Sequence, residues 1–207
     1  KFAIIKNKFI IFVPYCDVYY DYIIECLTSI EYQNYDNYEV IIVNDGGKKM
    51  DLINEFINNK KQYKILHSDI NNGPGYSKWL FINYIQQNIS KYNLNDICII
   101  IDGDDTINNN TFNIINNTYN NHKCWVTYGN ATGAFCDFND CIVPSGNIRL
   151  QKWRYAHPRT LKLFLLNYLE QDDFKYNNNW LTKGTDRPIV YCGIELSGKK
   201  RVKFINK

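Results

Sequence analysis

Three carboxylates, Asp102, Asp104 and Asp105, follow directly on an apolar run at residues 97–101. Like charges this close repel one another, and without a compensating cation at least one of them is driven toward protonation. Carboxylate oxygens suit Mg²⁺ or Mn²⁺, which keep coordination positions open for phosphate oxygens. The cluster therefore predicts a divalent cation that bridges the protein to a diphosphate. The plainer alternative is a solvated acidic turn that caps a helix starting near Asn108.

A second polar segment ends the apolar run at residues 39–43, where Asn44 and Asp45 precede two glycines. Asp-Gly is a common turn pair, so a turn is one explanation of Asp45. The other is recognition, in which Asp45 accepts a hydrogen bond from a nucleobase imide while Gly46 lets the backbone approach closely. The residues alone do not separate these two interpretations.

The elements that must position these residues alternate along the first half of the chain. Strands are predicted at residues 9–13, 39–43, 63–67 and 97–101, and the first and last of these are wholly apolar. Helices are predicted at residues 19–32 and 50–59, and a third runs to about residue 92 after a break at residues 73–75. This alternation predicts an α/β fold with a mostly parallel central sheet flanked by helices. Such sheets bind ligands at the carboxyl ends of their strands, where the polar segments at 14–17, 44–47, 67–75 and 102–105 would converge.

The pattern is looser in the second half of the chain. Helices are predicted at residues 108–120 and 159–168 and after Pro188, and strands at 125–128 and 201–205. Residues 129–147 are predicted as loops with short strands. A length of 207 residues favours a single domain over two.

Composition argues against several classes of protein. The net charge is only +3 and no long basic run occurs beyond residues 199–201, so no nucleic-acid partner is expected. No apolar run has the length of a membrane span. Cys136 and Cys141 could form a disulfide, but free thiols in a reducing compartment are favoured for the seven cysteines. A cytoplasmic location is the expectation, for this chain alone or as a domain of a larger protein.

Five segments, in this order and spacing, resemble family 2 glycosyltransferases of the GT-A fold. They lie at residues 9–15, 25–35, 39–46, 72–78 and 99–105. The resemblance covers about the first half of the chain, and it implies a GT-A Rossmann-like fold with a looser acceptor-side C-terminal half. Residues 1–106 would bind a nucleotide-sugar, and residues 107–207 would bind the acceptor.

The resemblance also implies roles for individual residues. Asp45 would contact the uracil, Asp102 the ribose side of the donor, and Asp104 the Mn²⁺ or Mg²⁺ ion, with Asp105 as a further ligand or a support. The implied donor-binding residues are Pro14, Tyr15, Asp45, Gly73, Lys78, Asp102 and Gly103, and the implied metal ligands are Asp102, Asp104 and Asp105. Asn44 stands where the family usually has Asp. Lys78 stands where it often has Arg, and Lys lacks the planar fork of the guanidinium group.

The catalytic base is less clearly marked. Residues 157–160 and 184–186 are similar to segments that follow the metal motif in some family members, and in these enzymes a carboxylate near a helix start deprotonates the acceptor hydroxyl. Asp186 is the candidate, with Asp172 and Asp173 as rivals. An Asp two residues before a Pro is also a good helix N-cap, which is the structural alternative.

Three further side chains have open assignments. His157 could bind the departing diphosphate or the metal, but a single His is more often structural. Trp153 and Trp180 could form platforms for the acceptor or belong to the core.

The implied reaction transfers a sugar from a UDP-sugar, or another nucleotide-sugar, to an acceptor hydroxyl with inversion. The acceptor could be a glycan, a protein or a lipid. A competing hypothesis is a phosphatase of the haloacid dehalogenase type with Asp102 as nucleophile, because residues 102–106 also fit its Asp-x-Asp-x-Thr pattern. That family has its motif near the start of the domain, whereas nearly half of this chain precedes it. A third hypothesis is a catalytically inert nucleotide- or sugar-binding module.

Overall fold

The computed structural model describes residues 5–130 and 146–205. The strands of this part are β1 (Phe9–Tyr15), β2 (Tyr38–Asp45), β3 (Tyr63–Ser68), β4 (Ile97–Ile100), β5 (Val126–Gly129), β6 (Ala156–Lys162), β7 (Lys175–Tyr176), β8 (Asn179–Trp180) and β9 (Val202–Phe204). The α-helices are α1 (Ile23–Glu31), α2 (Asp51–Ile57), α3 (Pro74–Gln87), α4 (Thr111–His122) and α5 (Arg187–Ser197). Among the described residues, no helix combines the length and the apolar character needed to cross a membrane.

Seven of these strands form one sheet in the order β3-β2-β1-β4-β6-β5-β9. The first four of this order are mutually parallel, β6 runs antiparallel to both of its neighbours, and β9 is parallel to β5. The predicted α/β fold with a mostly parallel sheet is therefore confirmed. The parallel arrangement places the ends of β1, β2 and β4 side by side at one edge.

Apolar side chains cover both faces of the sheet, because successive residues of a strand point in opposite directions. In β1, Ile10 and Phe12 pack into one cluster with residues of α3 and α5. Ile11 and Val13 pack into another cluster with residues of α1, α2 and α4. The sheet is thus the middle layer of three, with β1 and β4 buried along their whole length.

The prediction of a helix at residues 159–168 is wrong. This segment is the end of β6 followed by a 3₁₀ helix, Leu163–Tyr168. Arg159 to Lys162 pair with Ile100 to Ile97 of β4, and this ladder in the middle of the sheet holds the start of the leucine-rich segment extended. The strands predicted at 125–128 and 201–205 and the helix after Pro188 are confirmed. Cys136, Cys141 and most of the predicted loops at 129–147 lie outside the described residues.

Candidate functional site

A cavity of about 280 Å³, here called the strand-end cavity, opens where β1, β2 and β4 end. The predicted site residues in its lining are Pro14, Tyr15, Asp45, Gly73, Lys78, Asp102 and Asp186. Residues 182–186, which precede α5, also line it. The predicted Gly103 lies buried beneath Pro14, where a Cβ atom would overlap the Pro14 carbonyl oxygen. The structure thus brings together most of the residues that the sequence singled out, from five separate segments.

The two polar residues that end β2 have different contacts. The Asn44 amide brackets Gly47, accepting from its N–H at 2.8 Å and donating to its carbonyl at 2.9 Å. The Asp45 carboxylate accepts from the backbone N–H groups of Asn72 (3.0 Å) and Gly73 (2.7 Å). Asn44 therefore forms the turn, while Asp45 ties β2 to the start of α3. A carboxylate has about four acceptor positions, so Asp45 keeps capacity for a ligand in the cavity.

An ionic network joins the strand-end cavity to β6 and α5. His157 Nε2 lies 3.1 Å from Asp102 Oδ2, and Lys78 Nζ lies 3.9 Å from Asp102 Oδ1. Lys78 Nζ also lies 3.1 Å from Asp186 Oδ1, and Arg159 lies 2.8 Å from Asp186 Oδ2. The Lys78 and Arg159 side chains are only 4% and 9% exposed. Buried cations require such partners, so this network fixes Asp102 and Asp186 relative to each other.

Arg159 is the member of this network that sequence reasoning missed. Its segment was predicted as a helix, whereas it lies on β6. Residues two apart on a strand share a face, so His157 and Arg159 both reach the site from β6. Recognising residues 156–162 as a strand would have revealed the pair.

The three clustered carboxylates differ in their electrostatics. Burial raises the pKa of Asp102, but the hydrogen bond from His157 and the charges of Lys78 and Arg159 hold that pKa far below its ordinary range. Burial and the charges of Asp102 and Asp104 raise the pKa of Asp105, against the opposing effect of His157. Asp104 is exposed at the protein surface. The repulsion expected within the cluster therefore falls mainly on Asp105.

The donor set at the site fits a divalent cation. Asp102, His157 and Asp186 each offer one ligand atom, and these atoms lie within 4.8 Å of one another. Carboxylate and imidazole are ligands that Mn²⁺ accepts. His157 Nδ1 lies 3.3 Å from the Ile100 carbonyl oxygen, so it can donate there, and a bound cation could then take the place of the Nε2 hydrogen bond to Asp102. The predicted ligand Asp105 lies beside this trio, with Oδ2 3.6 Å from His157 Nε2.

The remaining candidates lie away from the strand-end cavity. Asp172 and Asp173 are exposed in a 3₁₀ helix, where Asp173 completes a capping box with Glu170. Trp153 packs edge-on against Tyr155 and Tyr191, and Trp180 packs edge-on against Tyr76. Of the rival bases, only Asp186 lines the cavity.

The segment before Asp186 is anchored on the first turn of α3 through Gly75. Gly75 N–H donates to the Leu181 carbonyl at 3.0 Å, and Leu181 N–H donates to the Phe174 carbonyl at 2.8 Å. A Cβ atom on Gly75 would lie 2.7 Å from the Leu181 oxygen and 3.0 Å from the Phe174 oxygen. Only glycine lets the backbone of α3 approach this segment so closely.

We expect Gly75→Ala to lower the free energy of unfolding by about 1–3 kcal/mol, since the new methyl group meets backbone atoms that cannot rotate away. Gly193→Ala is the matched control within α5, where the nearest atom is a Val126 methyl group at 3.2 Å. Because alanine also favours helix, this control should stay within about 1 kcal/mol of wild type. Urea unfolding measures both, and equal stability of the two variants would contradict a tight contact at Gly75.

We expect Asp105→Asn to stabilise the protein at neutral pH in the presence of a chelator. The pKa of Asp105 is raised in the folded state above its ordinary value of 3.8, so wild type loses stability relative to the variant as the pH rises from 3.8 through the folded pKa. The advantage of Asn should vanish below about pH 3.8, where both states bind the proton. Thermal unfolding across pH tests this, with the exposed Asp69→Asn as control. If Asp105→Asn is still more stable than wild type at low pH, its higher stability does not come from the charge of Asp105.

Comparison with known proteins gives a family and a fold. The sequence model described as glycosyl transferase family 2 matches residues 10–179, a range that ends before Asp186. No curated protein sequence matches the chain.

Several solved structures are similar in fold. Residues 1–349 of S. aureus TarS in complex with UDP align with a TM-score of 0.70 and 19% identity, covering 96% of this chain and 57% of that one. For the TarS complex with UDP-GlcNAc the values are 0.67 and 21%, with 97% and 58% covered. The mannosyltransferase PcManGT from Pyrobaculum calidifontis, with GDP-Man and Mn²⁺, gives 0.60 and 12%, with 98% and 56% covered. The chain thus spans little more than half the length of each of these structures.

Proposed function

Since the chain belongs to glycosyl transferase family 2 and is a glycosyltransferase, we propose that it moves a sugar from a UDP-sugar to an acceptor hydroxyl, with inversion and with a divalent cation. The observation that carries this proposal is the lining of the strand-end cavity, in which the implied donor-binding residues meet Asp186. The structures of S. aureus TarS with UDP and UDP-GlcNAc support the choice of donor. Family membership leaves the phosphatase alternative without support.

In this proposal the strand-end cavity binds the nucleotide-sugar. Asp45, already fixed by the N–H groups of Asn72 and Gly73, accepts from the uracil imide with its remaining lone pairs. Lys78, buried between Asp102 and Asp186, offers positive charge to the diphosphate. Lys78 does so as a point charge, whereas an Arg would form a bidentate fork.

Asp102 and His157 would hold the divalent cation, Mn²⁺ or Mg²⁺, with Asp104 and Asp105 as the other candidate ligands, while the nearby Asp186 carboxylate is kept for the acceptor proton. The bound cation would supply electrostatic stabilisation of the negative charge that develops on the departing diphosphate. His157 suits this role because its Nδ1 is occupied by the Ile100 carbonyl. The Mn²⁺ in the PcManGT structure is consistent with such a site.

Asp186 is the proposed general base. The acceptor oxygen forms a bond to the anomeric carbon, the bond from that carbon to the diphosphate oxygen breaks, and the hydroxyl proton passes to the Asp186 carboxylate. Lys78 and Arg159 hold this carboxylate at the wall of the cavity, where it can face the incoming acceptor. A single displacement of this kind inverts the anomeric carbon.

We further propose that residues 1–207 act as one domain, in which residues 1–106 provide most of the donor site and residues 107–207 receive the acceptor. Most residues that line the strand-end cavity belong to the first half, which supports this division. Residues 182–186 belong to the second half but also line this cavity.

We expect UDP with Mn²⁺ to raise the melting temperature of the wild-type protein by about 5–10 °C at a hundredfold excess over the dissociation constant. A ligand that binds only the folded state must have this effect. The titration uses UDP and GDP, each with Mn²⁺, Mg²⁺ or a chelator, so that base and cation are tested separately. The proposal is refuted if neither nucleotide raises the melting temperature with any cation. A rise with GDP alone would indicate a GDP-sugar as the donor.

A further inference from the structure

The pairing of β6 with β5 is irregular in the segment that supplies side chains to the site. Thr127 of β5 pairs with Thr160 of β6. Two residues further along β5, Gly129 pairs with Ala156. One residue of β5 therefore faces three residues of β6, whereas a regular antiparallel ladder places one opposite one. Residues 157–159 thus form a bulge with two extra residues, a feature that redirects side chains and is common beside active sites.

The other neighbour of β6 does not reach this bulge along its whole length. The ladder between β4 and β6 ends at the pair of Ile100 and Arg159. Among residues 5–130 and 146–205, β5 is the only strand that pairs with β6 beyond that point, at Ala156. The backbone position of His157 therefore depends on how closely β5 can approach.

Gly129 is the residue of β5 that makes this approach. A Cβ atom at this position would lie 2.5 Å from the His157 carbonyl oxygen and 2.9 Å from Cδ of Pro158. A backbone carbonyl group and a proline ring cannot rotate away as a flexible side chain would. Only glycine therefore lets β5 and the bulge come together at this distance.

Strand β5 is held on its far side and cannot move away from the bulge. The Tyr128 carbonyl accepts from the Ile205 N–H at 2.8 Å, and the Tyr128 side chain is fully buried. A methyl group on residue 129 must therefore displace β6, and His157 with it.

The contacts of the His157 ring are sensitive to such a displacement. Nδ1 lies 3.3 Å from the Ile100 carbonyl oxygen, which is at the long end of the hydrogen-bond range. Nε2 lies 3.1 Å from Asp102 Oδ2. The hydrogen bond at Nδ1 orients the ring so that Nε2 faces the carboxylate, and a shift of about 1 Å would break it.

We propose that Gly129 is a positioning residue, which sets His157 at the cation site by admitting the bulge of β6. This inference rests on the proposed function, because it requires a cation that is bound through His157. Gly129 does not line the strand-end cavity, so it acts through the backbone of His157 and not through the donor.

The test measures how much Mn²⁺ tightens the binding of UDP, by calorimetric titration with Mn²⁺ and with chelator. We expect Gly129→Ala to reduce this Mn²⁺-dependent gain about tenfold or more, because losing the groups that orient a metal ligand typically costs about 10–100-fold in metal affinity. The affinity for UDP in chelator should stay within about threefold of wild type. Gly193→Ala, the matched control in α5, should keep the full gain.

A double-variant cycle separates positioning from a general loss of stability. If Gly129 acts through His157, Gly129→Ala should cause no further loss of the Mn²⁺-dependent gain in a His157→Ala background. Additive losses would overturn the inference, since they would show that Gly129 acts independently of His157.

Thr127→Val probes the same bulge with a milder change, and it decides the question if Gly129→Ala does not fold. The Thr127 and Thr160 hydroxyl oxygens lie 2.6 Å apart at the last regular pair before the bulge. Valine has a similar shape but cannot make this hydrogen bond. We expect a loss of about threefold in the Mn²⁺-dependent gain, again absent in the His157→Ala background. A full gain would then overturn the inference.

The failure of this inference differs from the failure of the proposed function. If Mn²⁺ does not tighten UDP binding by the wild-type protein, the proposed cation site fails and the role of Gly129 fails with it. If Mn²⁺ acts on wild type but Gly129→Ala or His157→Ala keeps the full gain, the role of Gly129 fails alone.

Discussion

We expect Asp186→Asn to lower the rate of sugar transfer by about a thousandfold and to leave the affinity for UDP within about threefold of wild type. General bases contribute about 10²–10⁴-fold to rates, and Asn cannot take up the proton of the acceptor hydroxyl. Its similar volume keeps the wall of the strand-end cavity in place. Release of UDP from UDP-GlcNAc, with water as the acceptor until a better one is known, measures the rate.

Asp172→Asn and Asp173→Asn are the matched controls, because both carboxyl groups are exposed and neither lines the strand-end cavity. We expect both to retain transfer. The melting temperature must be followed in parallel, since Asn leaves the buried Arg159 without its carboxylate partner and leaves Lys78 with Asp102 at 3.9 Å. A folded Asp186→Asn protein with wild-type turnover would eliminate Asp186 as the base. A loss confined to Mn²⁺ affinity would make it a metal ligand instead.

We expect Asp102→Asn to weaken Mn²⁺-dependent binding of UDP by about a hundredfold or more. Asp102 belongs to both candidate ligand sets, and its low pKa reflects the hydrogen bond from His157 and the charges of Lys78 and Arg159. Removing one partner of a buried ion pair costs about 3–5 kcal/mol, so the remaining network should also rearrange. Calorimetric titration of UDP at fixed Mn²⁺, repeated with chelator, separates the metal-dependent part of the affinity.

His157→Ala and Asp104→Asn form the paired control, since each belongs to only one of the two ligand sets. A loss of Mn²⁺ response in His157→Ala alone assigns the ion to Asp102 and His157. A loss in Asp104→Asn alone assigns it to the carboxylate cluster. Unchanged Mn²⁺-dependent binding by Asp102→Asn would contradict both assignments.

The first half of the fold could be predicted from its apolar segments. Residues 9–13 and 39–43 are almost continuously apolar, which is typical of strands that are covered on both faces of a sheet. The polar residues that follow these strands indicate where the site lies. The convergence of Asp45, Lys78 and Asp102 on one cavity was therefore predictable. This prediction needs only the rule that parallel strands end at the same edge of a sheet.

The second half was harder to predict, because pairing with a strand far away in the sequence decided its structure where the local sequence did not. Residues 163–166 form an apolar run that fits either a helix or a strand, and pairing with β4 holds the part of the segment before it extended. Because this strand was not predicted, Arg159 was not identified as a site residue. Similarly, sequence alone could not show that Asn44 forms the turn while Asp45 binds the start of α3, because either side chain can do both.

The contact between Gly75 and the segment before Asp186 limits which segments can be exchanged in a chimeric enzyme. Exchanging residues 174–186 with those of a relative, in order to change which acceptor is used, would bring in a backbone that must still fit against the first turn of α3. The graft therefore needs glycine at position 75 and carbonyl groups in register with Phe174 and Leu181. Because Asp45 holds the same end of α3, a mismatch there would disturb the nucleotide side as well. In this scaffold residues 174–186 are exchangeable only together with the start of α3.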